Sequence, residues 1–279
     1  MSDKILVLGA TGHVGTPLVS QLVAGGLVVK AASRHATPTT GAEAVRFDYA
    51  DASTFDAALA GVSRVFVVAP GGTVDPRPVL TPFLTRAIER RVGIVLQTVF
   101  GVDADESIPY RQVELALERS GAPFVILRPN WFADNFHTAW LAGIQHGVIA
   151  VPAGDGKSSF IDVRDVASSA AAALASDRFD GKAFNLTGPA ALSYGDAAAI
   201  LSRVSGRAIR YTPIDDEAFV SMLTGAGVPA DYARFLASIF APVREGWTAA
   251  VTDAVRTLTG RTPRSLEQYA KDHAAAFGA

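Results

Sequence analysis

The stretch KILVLGATGHVG, residues 4–15, limits what this chain can fold into more than any other. An apolar run enters three glycines, Gly9, Gly12 and Gly15, and a helical pattern, PLVSQLVA at 17–24, leaves them. A G-x-x-G-x-x-G turn between strand and helix lets backbone N–H groups approach a pyrophosphate and aims the helix N-terminus at its charge. Gly9, Thr11, Gly12, His13, Val14 and Gly15 are therefore expected to cradle a dinucleotide, with His13 contributing its backbone N–H. The alternative is three glycines that only make a strand-to-helix turn.

The pattern downstream suits such a site. LVVKAAS (27–33), AVRF (44–47), RVFVVA (64–69), GIVLQTV (93–99) and FVILR (124–128) read as strands, with helical stretches at 52–60, 76–91 and 109–120. Near-continuous apolar strands joined by helical crossovers predict an α/β fold with a doubly wound parallel sheet. From about Asn130 the rhythm changes. PAGDGKSS (152–159) packs turn formers together, an Ala-rich helix follows at 163–175, and a strand (182–188), a helix (194–206) and a strand (207–214) come next. A last helix opens at SLEQ, where Ser265 is expected to cap and Gln268 to reach back.

Composition excludes several classes of function. Among 279 residues, 25 Lys and Arg against 27 Asp and Glu leave a net charge of −2 with no basic run, so nucleic acid is not an expected partner. Cysteine is absent, which removes thiolate nucleophiles and cysteinyl metal sites and fits a reducing, cytoplasmic setting. No apolar stretch reaches the roughly 18 residues of a spanning helix, and Lys4 enters its strand without a leader pattern, so no membrane is expected.

The choice of dinucleotide falls on KAASRHATP, after the second strand. An acidic residue there would hold a ribose 2′-hydroxyl, and an arginine would accommodate a 2′-phosphate. No acid is present, while Ser33, Arg34 and His35 offer donors and positive charge, which favours NADPH over NADH. The alternative for Arg34 is an ordinary exposed loop arginine.

The glycine loop, FDYAD (47–51), VVAPGG (67–72), RQVELALERSGAPFVILRPNWFADN (111–135), FIDVRDVA (160–167), FNLTGP (184–189) and LTGRTPRSLEQYAKDHAAAF (258–277) together resemble the NmrA-like branch of the atypical short-chain dehydrogenase/reductases. The resemblance covers nearly the whole chain. It implies a Rossmann domain, expected over 1–150, and a smaller α/β C-terminal substrate domain over 151–279, with the chain free to cross between them. It also implies that Asp48 meets the adenine amino group, that Ala69 and Pro70 border the nicotinamide half, and that Thr98 lines the same cleft. For Asp48, a strand-end turn residue is the equal alternative.

Short-chain reductases commonly place a Tyr four residues ahead of a Lys, and here that pair is missing. Tyr110 is followed at that spacing by Glu114, whose carboxylate would disfavour a phenolate. With Val113-Glu114 setting the register, Tyr110 falls at the lysine position and Glu106 at the tyrosine position. Tyr110 is thus a weak catalytic candidate, with a ribose or substrate contact or a rim tyrosine as its other roles. His137 and His146 titrate near operating pH and are further proton-donor candidates. No metal-ligand spacing appears.

RPNWFADNFHTAW (128–140) sets Trp131, Phe132, Phe136 and Trp140 at near-helical spacing after a strand terminus, where open α/β sheets bind ligands. Some of these should be core. With Phe100, Tyr110 and His137, the rest would wall a flat pocket for a planar aromatic acceptor. Two readings follow. One is a reductase that passes hydride from NADPH to a quinone, azo compound or imine, acceptors that need no strong acid. The other is an NADP(H)-sensing regulatory protein without turnover. Homodimerisation is left open.

Overall fold

A computed structural model describes residues 3–278. Up to Pro129 the chain alternates strand and helix. It runs β1 (Lys4–Leu8), α1 (Gly15–Ala24), β2 (Val29–Ser33), β3 (Glu43–Arg46), α2 (Phe55–Leu59), β4 (Val62–Val68), α3 (Arg77–Glu89), β5 (Gly93–Gln97), α4 (Pro109–Glu118) and β6 (Phe124–Pro129). There follow α5 (Leu141–Gln145), β7 (Val148–Val151), β8 (Lys157–Ser158), α6 (Val163–Leu174), β9 (Lys182–Leu186), β10 (Leu192–Ser193), α7 (Tyr194–Ser205) and β11 (Arg210–Pro213). Helices α8 (Asp216–Gly225), α9 (Ala230–Ser238), α10 (Ala241–Arg244), α11 (Ala254–Thr259) and α12 (Leu266–Asp272) complete the chain.

Seven strands form one sheet in the order β3-β2-β1-β4-β5-β6-β9, parallel at every pairing. This is the doubly wound α/β arrangement expected of the alternating pattern. Its central strands are apolar on both faces because helices cover both: Leu6, Val7, Leu8, Val65, Phe66 and Val67 are all fully buried. One side is filled by Phe47, Phe55 and Phe83, which meet edge-to-face or stacked at 5.0–5.4 Å. Each buried ring contributes about 1.5–3 kcal/mol. On α6 the inward positions are small, Ala167, Ala170 and Ala173, all at 0% exposure, and this lets α6 pack closely on α1. Lys30 of β2 is a charged residue buried in this core. Its ammonium donates to the carbonyls of Ala57 and Ala60 at 2.7 and 3.3 Å, and burial holds its pKa below the ordinary lysine value.

The chain divides into two compact units. The first holds residues up to Pro129 together with Val163–Leu186 and Ala254–Arg261, and the second holds Asn130–Asp162, Thr187–Asp253 and the residues from Thr262 onward. The division therefore falls at Pro129/Asn130, not at the expected 150/151. The turn formers at 152–159 mislead because they join β7 to β8 inside the second unit, whereas α6, β9 and α11 return to the first. The second unit has its own core of Phe136, Tyr194, Phe160 and Tyr269, plus a small parallel sheet of β7 and β11.

Local differences have simple causes. Helix 52–60 opens as a 3-10 turn at Ala52–Thr54, where the Asp51 side chain accepts from the Ser53 N–H. Ser265 caps α12 as expected, accepting from the Gln268 N–H at 3.1 Å, but the Gln268 side chain bonds Asp272 one turn on. The full reciprocal box is at the start of α7 instead, between Ser193 and Asp196.

Candidate functional site

β1 ends in Gly9, whose φ of +65° lies in the left-handed region and turns the chain back so that the Gly12 N–H reaches the Gly9 carbonyl at 2.9 Å. The three glycines then part in role. A Cβ on Gly15 would lie 2.0 Å from the Gly9 oxygen, so only glycine allows α1 to start this close to β1. A Cβ on Gly12 would meet only that oxygen, at 3.2 Å, and Gly12 is exposed together with Gly9, Thr11 and His13. In the first turn of α1 the Thr16 and Leu18 N–H groups donate to the Gly12 and Val14 carbonyls at 3.0 and 3.1 Å and Pro17 has none, so the loop's own N–H groups ahead of Thr16 are those a ligand could use. An exposed loop of bare backbone at a helix N-terminus fits a pyrophosphate. Val14 departs from the other loop residues: its side chain is buried, leaving only its backbone to a ligand.

After β2, Arg34 and His35 are exposed, and no acid occurs between Ser33 and Ala42. Ser33 is less available than its position suggests. Its hydroxyl accepts from the Thr37 N–H at 2.8 Å and lies 3.2 Å from the Thr37 hydroxyl. Asp48 closes its own turn, accepting from the Ala50 N–H at 3.0 Å. Beside it the buried Tyr49 phenol donates to the Val68 carbonyl at 3.0 Å, and burial raises its pKa well above the usual range. That bond holds the end of β4, from which half-buried Ala69 and exposed Pro70 follow. The Pro70 carbonyl accepts from the Thr73 hydroxyl at 2.7 Å, and the Thr73 carbonyl accepts from the Tyr110 phenol at 3.0 Å.

One expectation about the end of β5 needs correction. The Thr98 hydroxyl does not line a cleft, because the residue is 3% exposed and donates to Glu114 Oε1 at 2.6 Å. Glu114 is committed to a network the sequence did not reveal. Its carboxylate is fully buried and gripped by Arg128 through Nε and Nη2 at 2.9 and 2.7 Å, with Arg111 Nη1 at 2.9 Å. Arg128 also reaches Asp103 at 2.6 Å. The two-pronged Arg–carboxylate geometry ties α4 to the carboxyl ends of β5 and β6. An arginine inside FVILRP and a glutamate on the inward face of α4 were the available signals for this network. Gln97, the last residue of β5, was also missed; its Oε1 is buried without a hydrogen-bond partner. Phe100 is half-buried and Glu106 exposed.

In the second unit the aromatic segment separates into two groups. Phe136 is a core residue at 0% exposure, packed edge-to-face on Phe160 at 5.1 Å, and is not a pocket wall. The segment makes a 3-10 turn at Ala133–His137, which swings Phe136 inward, while Trp131 and Phe132 stay half-buried. Trp131 stacks on Trp140 at 6.0 Å. Asn130, whose side chain had no role in the sequence pattern, precedes this turn. Its Oδ1 accepts from the Trp131 N–H at 2.9 Å and its Nδ2 donates to Ser159 Oγ at 2.7 Å. His137 Nδ1 bonds the Tyr269 hydroxyl, and its ring stacks on His273 at 4.5 Å. His146 is exposed at the end of α5. Among the described residues no cluster could hold a metal ion, and no helix is long and apolar enough to cross a membrane.

A family profile for NAD(P)H-binding proteins matches residues 9–177. The oxidoreductase YesF of Bacillus subtilis is 36% identical to the chain, covering 98% of it and 96% of its own length. The NAD(P)H azoreductase of Xenophilus azovorans is 33% identical over 99% of both chains. The crystal structure of the NADPH-dependent quinone oxidoreductase QOR2 of Escherichia coli with NADPH superposes with a TM-score of 0.84. It has 23% identity and covers 97% of this chain and 99% of the other, a likeness of fold.

Proposed function

We propose, from the premise that the chain belongs to the NAD(P)H-binding oxidoreductase family, that it passes hydride from NADPH to a planar, electron-poor acceptor such as a quinone, azo compound or imine. The cofactor supplies the hydride when bound. Gly9–Gly15 hold its pyrophosphate by backbone N–H groups, and Arg34 with His35 meets the 2′-phosphate, a charge-assisted contact that an adenosine diphosphate without that phosphate lacks. Asp48, Ala69 and Pro70 are assigned to its adenine and nicotinamide halves, and the second unit to the acceptor, through Trp131 and Phe132. The relative from Xenophilus azovorans is, by its name, a reductase of azo compounds, which supports this acceptor class.

The observation that carries the choice of acceptor is the fate of Glu114. Glu114, which stands where the lysine would be if Tyr110 were the catalytic tyrosine, is consumed in a buried ion network, and Tyr110 donates its phenol O–H to the Thr73 carbonyl. Neither is arranged as a strong acid. A quinone takes hydride to give a hydroquinone anion that water can protonate, so two electrons and one proton from the cofactor, and one proton from solvent, close the balance. A simple ketone would need a positioned acid. The cysteine-free composition supports a reducing cytoplasmic location.

The test follows NADPH oxidation against quinones, azo dyes, imines and ketones in parallel. Turnover of the first three classes over ketones is expected. Tight NADPH binding with no turnover across the panel would replace this reading with that of an NADP(H) sensor.

A further inference from the structure

The turn that leaves β2 is built around one serine. The Ala36 N–H donates to the Ser33 carbonyl at 3.2 Å, which sets Arg34 and His35 at the two central positions of the turn. Ala36 then takes a φ of +47°, a left-handed conformation that a residue other than glycine keeps only where its surroundings impose it. This brings Thr37 back over Ser33. There the Thr37 N–H donates to Ser33 Oγ at 2.8 Å, and the Ser33 hydroxyl donates to Thr37 Oγ1 at 3.2 Å.

The consequence concerns protons, of which each hydroxyl has one to give. Ser33 has given its own to Thr37, whereas among the described residues no acceptor meets the Thr37 hydroxyl proton. The available O–H has moved from Ser33 to Thr37. Ser33 is half-buried, while Arg34, His35 and Thr37 are exposed on the same turn. A hydroxyl that already accepts is a stronger donor, so polarisation passes from the Thr37 N–H through Ser33 to the Thr37 O–H. Arg46, opposite Ser33 on β3, is taken up by Asp51 at 3.0 Å. The turn is also fixed to the glycine loop, because the Ala10 N–H donates to the Ala32 carbonyl at 3.1 Å. A dinucleotide whose pyrophosphate lies on Gly9–Gly15 presents its adenosine ribose to the end of β2.

We propose that Thr37 is a specificity-determining residue whose hydroxyl donates to the 2′-phosphate of NADPH, and that Ser33 is the positioning residue that aims it. The inference rests on the NADPH reading above. The contact to a phosphate is charge-assisted, and a turn already closed by Ser33 loses little freedom when the phosphate arrives. A ribose 2′-hydroxyl offers Thr37 only a neutral acceptor, so the contact sorts NADPH from NADH.

The experiment titrates adenosine 2′,5′-bisphosphate and AMP, which differ only in the 2′-phosphate, against the full chain and its variants by calorimetry. Neither ligand carries a nicotinamide, so no turnover is needed. Thr37→Val, which keeps the shape and removes the hydroxyl, should weaken the bisphosphate roughly tenfold and leave AMP within about twofold. Thr37→Ser should restore the parent's affinity. Ser33→Ala should weaken the bisphosphate roughly threefold in the parent and cause no further loss in Thr37→Val, because it acts through Thr37. A purely structural Thr37 would act by misplacing Arg34, so the deciding comparison repeats Thr37→Val in an Arg34→Ala background, where the loss should recur in full. Unchanged bisphosphate affinity in Thr37→Val, or a loss that disappears once Arg34 is gone, overturns the role of Thr37 and leaves the NADPH reading intact. A Ser33→Ala loss that persists in Thr37→Val overturns the positioning role. A parent that binds the bisphosphate no more tightly than AMP overturns the NADPH reading itself, and Thr37 with it.

Discussion

In the glycine loop the atoms we assign to a ligand belong to the backbone, and the role proposed for Gly12 is to keep a side chain away. In the segment from Trp131 to Trp140 the backbone is only a carrier, and a 3-10 turn decides which rings reach the core and which remain partly exposed. Both regions follow the carboxyl end of a sheet strand. In the first, a Cβ at Gly15 would lie 2.0 Å from the Gly9 oxygen, whereas Thr11 and His13 between the glycines are exposed. The second tolerates change at Phe132 and almost none at Phe136, four residues on, because burial rather than motif sets the cost.

The largest expected effect tests that division. Phe136→Ala should destabilise the protein by about 3–5 kcal/mol, the range for emptying a well-packed aromatic site, whereas Phe132→Ala should cost less than about 1 kcal/mol. Urea unfolding of both variants measures it. Similar losses would mean that the two rings are not partitioned as described, and that the segment acts as one packed unit.

Within the glycine loop a second pair of substitutions separates fold from binding. Gly12→Val has room to fold, since its Cβ meets only one oxygen at 3.2 Å, but it occupies the ground the pyrophosphate needs. NADPH affinity should fall at least about a hundredfold while the unfolding curve stays near the parent's. Gly15→Ala should behave in the opposite way. Its Cβ would sit 2.0 Å from the Gly9 oxygen, so stability should fall first and binding only in consequence. Titration of NADPH against each folded variant would show whether one mechanism in fact covers both glycines.

How far the chain could be read before its structure follows the same contrast. The parallel sheet and the glycine loop were legible because their signals are local: strand, turn and helix lie within 21 residues, Lys4 to Ala24, and apolar runs announce buried strands. The unit boundary was not, since Val163–Leu186 belongs to the first unit through contacts made far from its own sequence. Phe136 could not be told from Phe132 because a helical period was assumed where a 3-10 turn forms. Glu114 was placed beside Tyr110 by spacing, and only the structure shows Arg128 drawing its carboxylate into the sheet side of α4.

A middling effect is expected at Arg34, where the loop relies on a side chain after all. A charge-assisted hydrogen bond to the 2′-phosphate is worth about 1.5–3 kcal/mol, so Arg34→Ala should cut the preference for NADPH over NADH by roughly tenfold or more. Both cofactors are titrated against both proteins. A parent that binds the two equally removes the assignment of NADPH, and a variant that keeps the parent's preference removes the role of Arg34 and leaves His35 as the residue to test.

The smallest effect concerns Tyr110, which stands in the first unit as Phe136 does in the second: an aromatic residue at a suggestive position whose surroundings make it ordinary. Its phenol donates to the Thr73 carbonyl at 3.0 Å, and no lysine stands four residues on to lower its pKa. Removing the hydroxyl should therefore cost one neutral hydrogen bond, about 0.5–1.5 kcal/mol, felt as a slightly looser Pro70–Thr73 loop. A positioned general acid is worth about 10² to 10⁴ in rate, well separated from that range. Single-turnover oxidation of saturating NADPH by an activated quinone, followed across pH, distinguishes the two. Tyr110→Phe should slow the step less than about tenfold and leave the pH profile in place. A hundredfold loss with intact NADPH affinity would show that the phenol does transfer the proton, and that the Thr73 carbonyl is only where it rests before the acceptor binds.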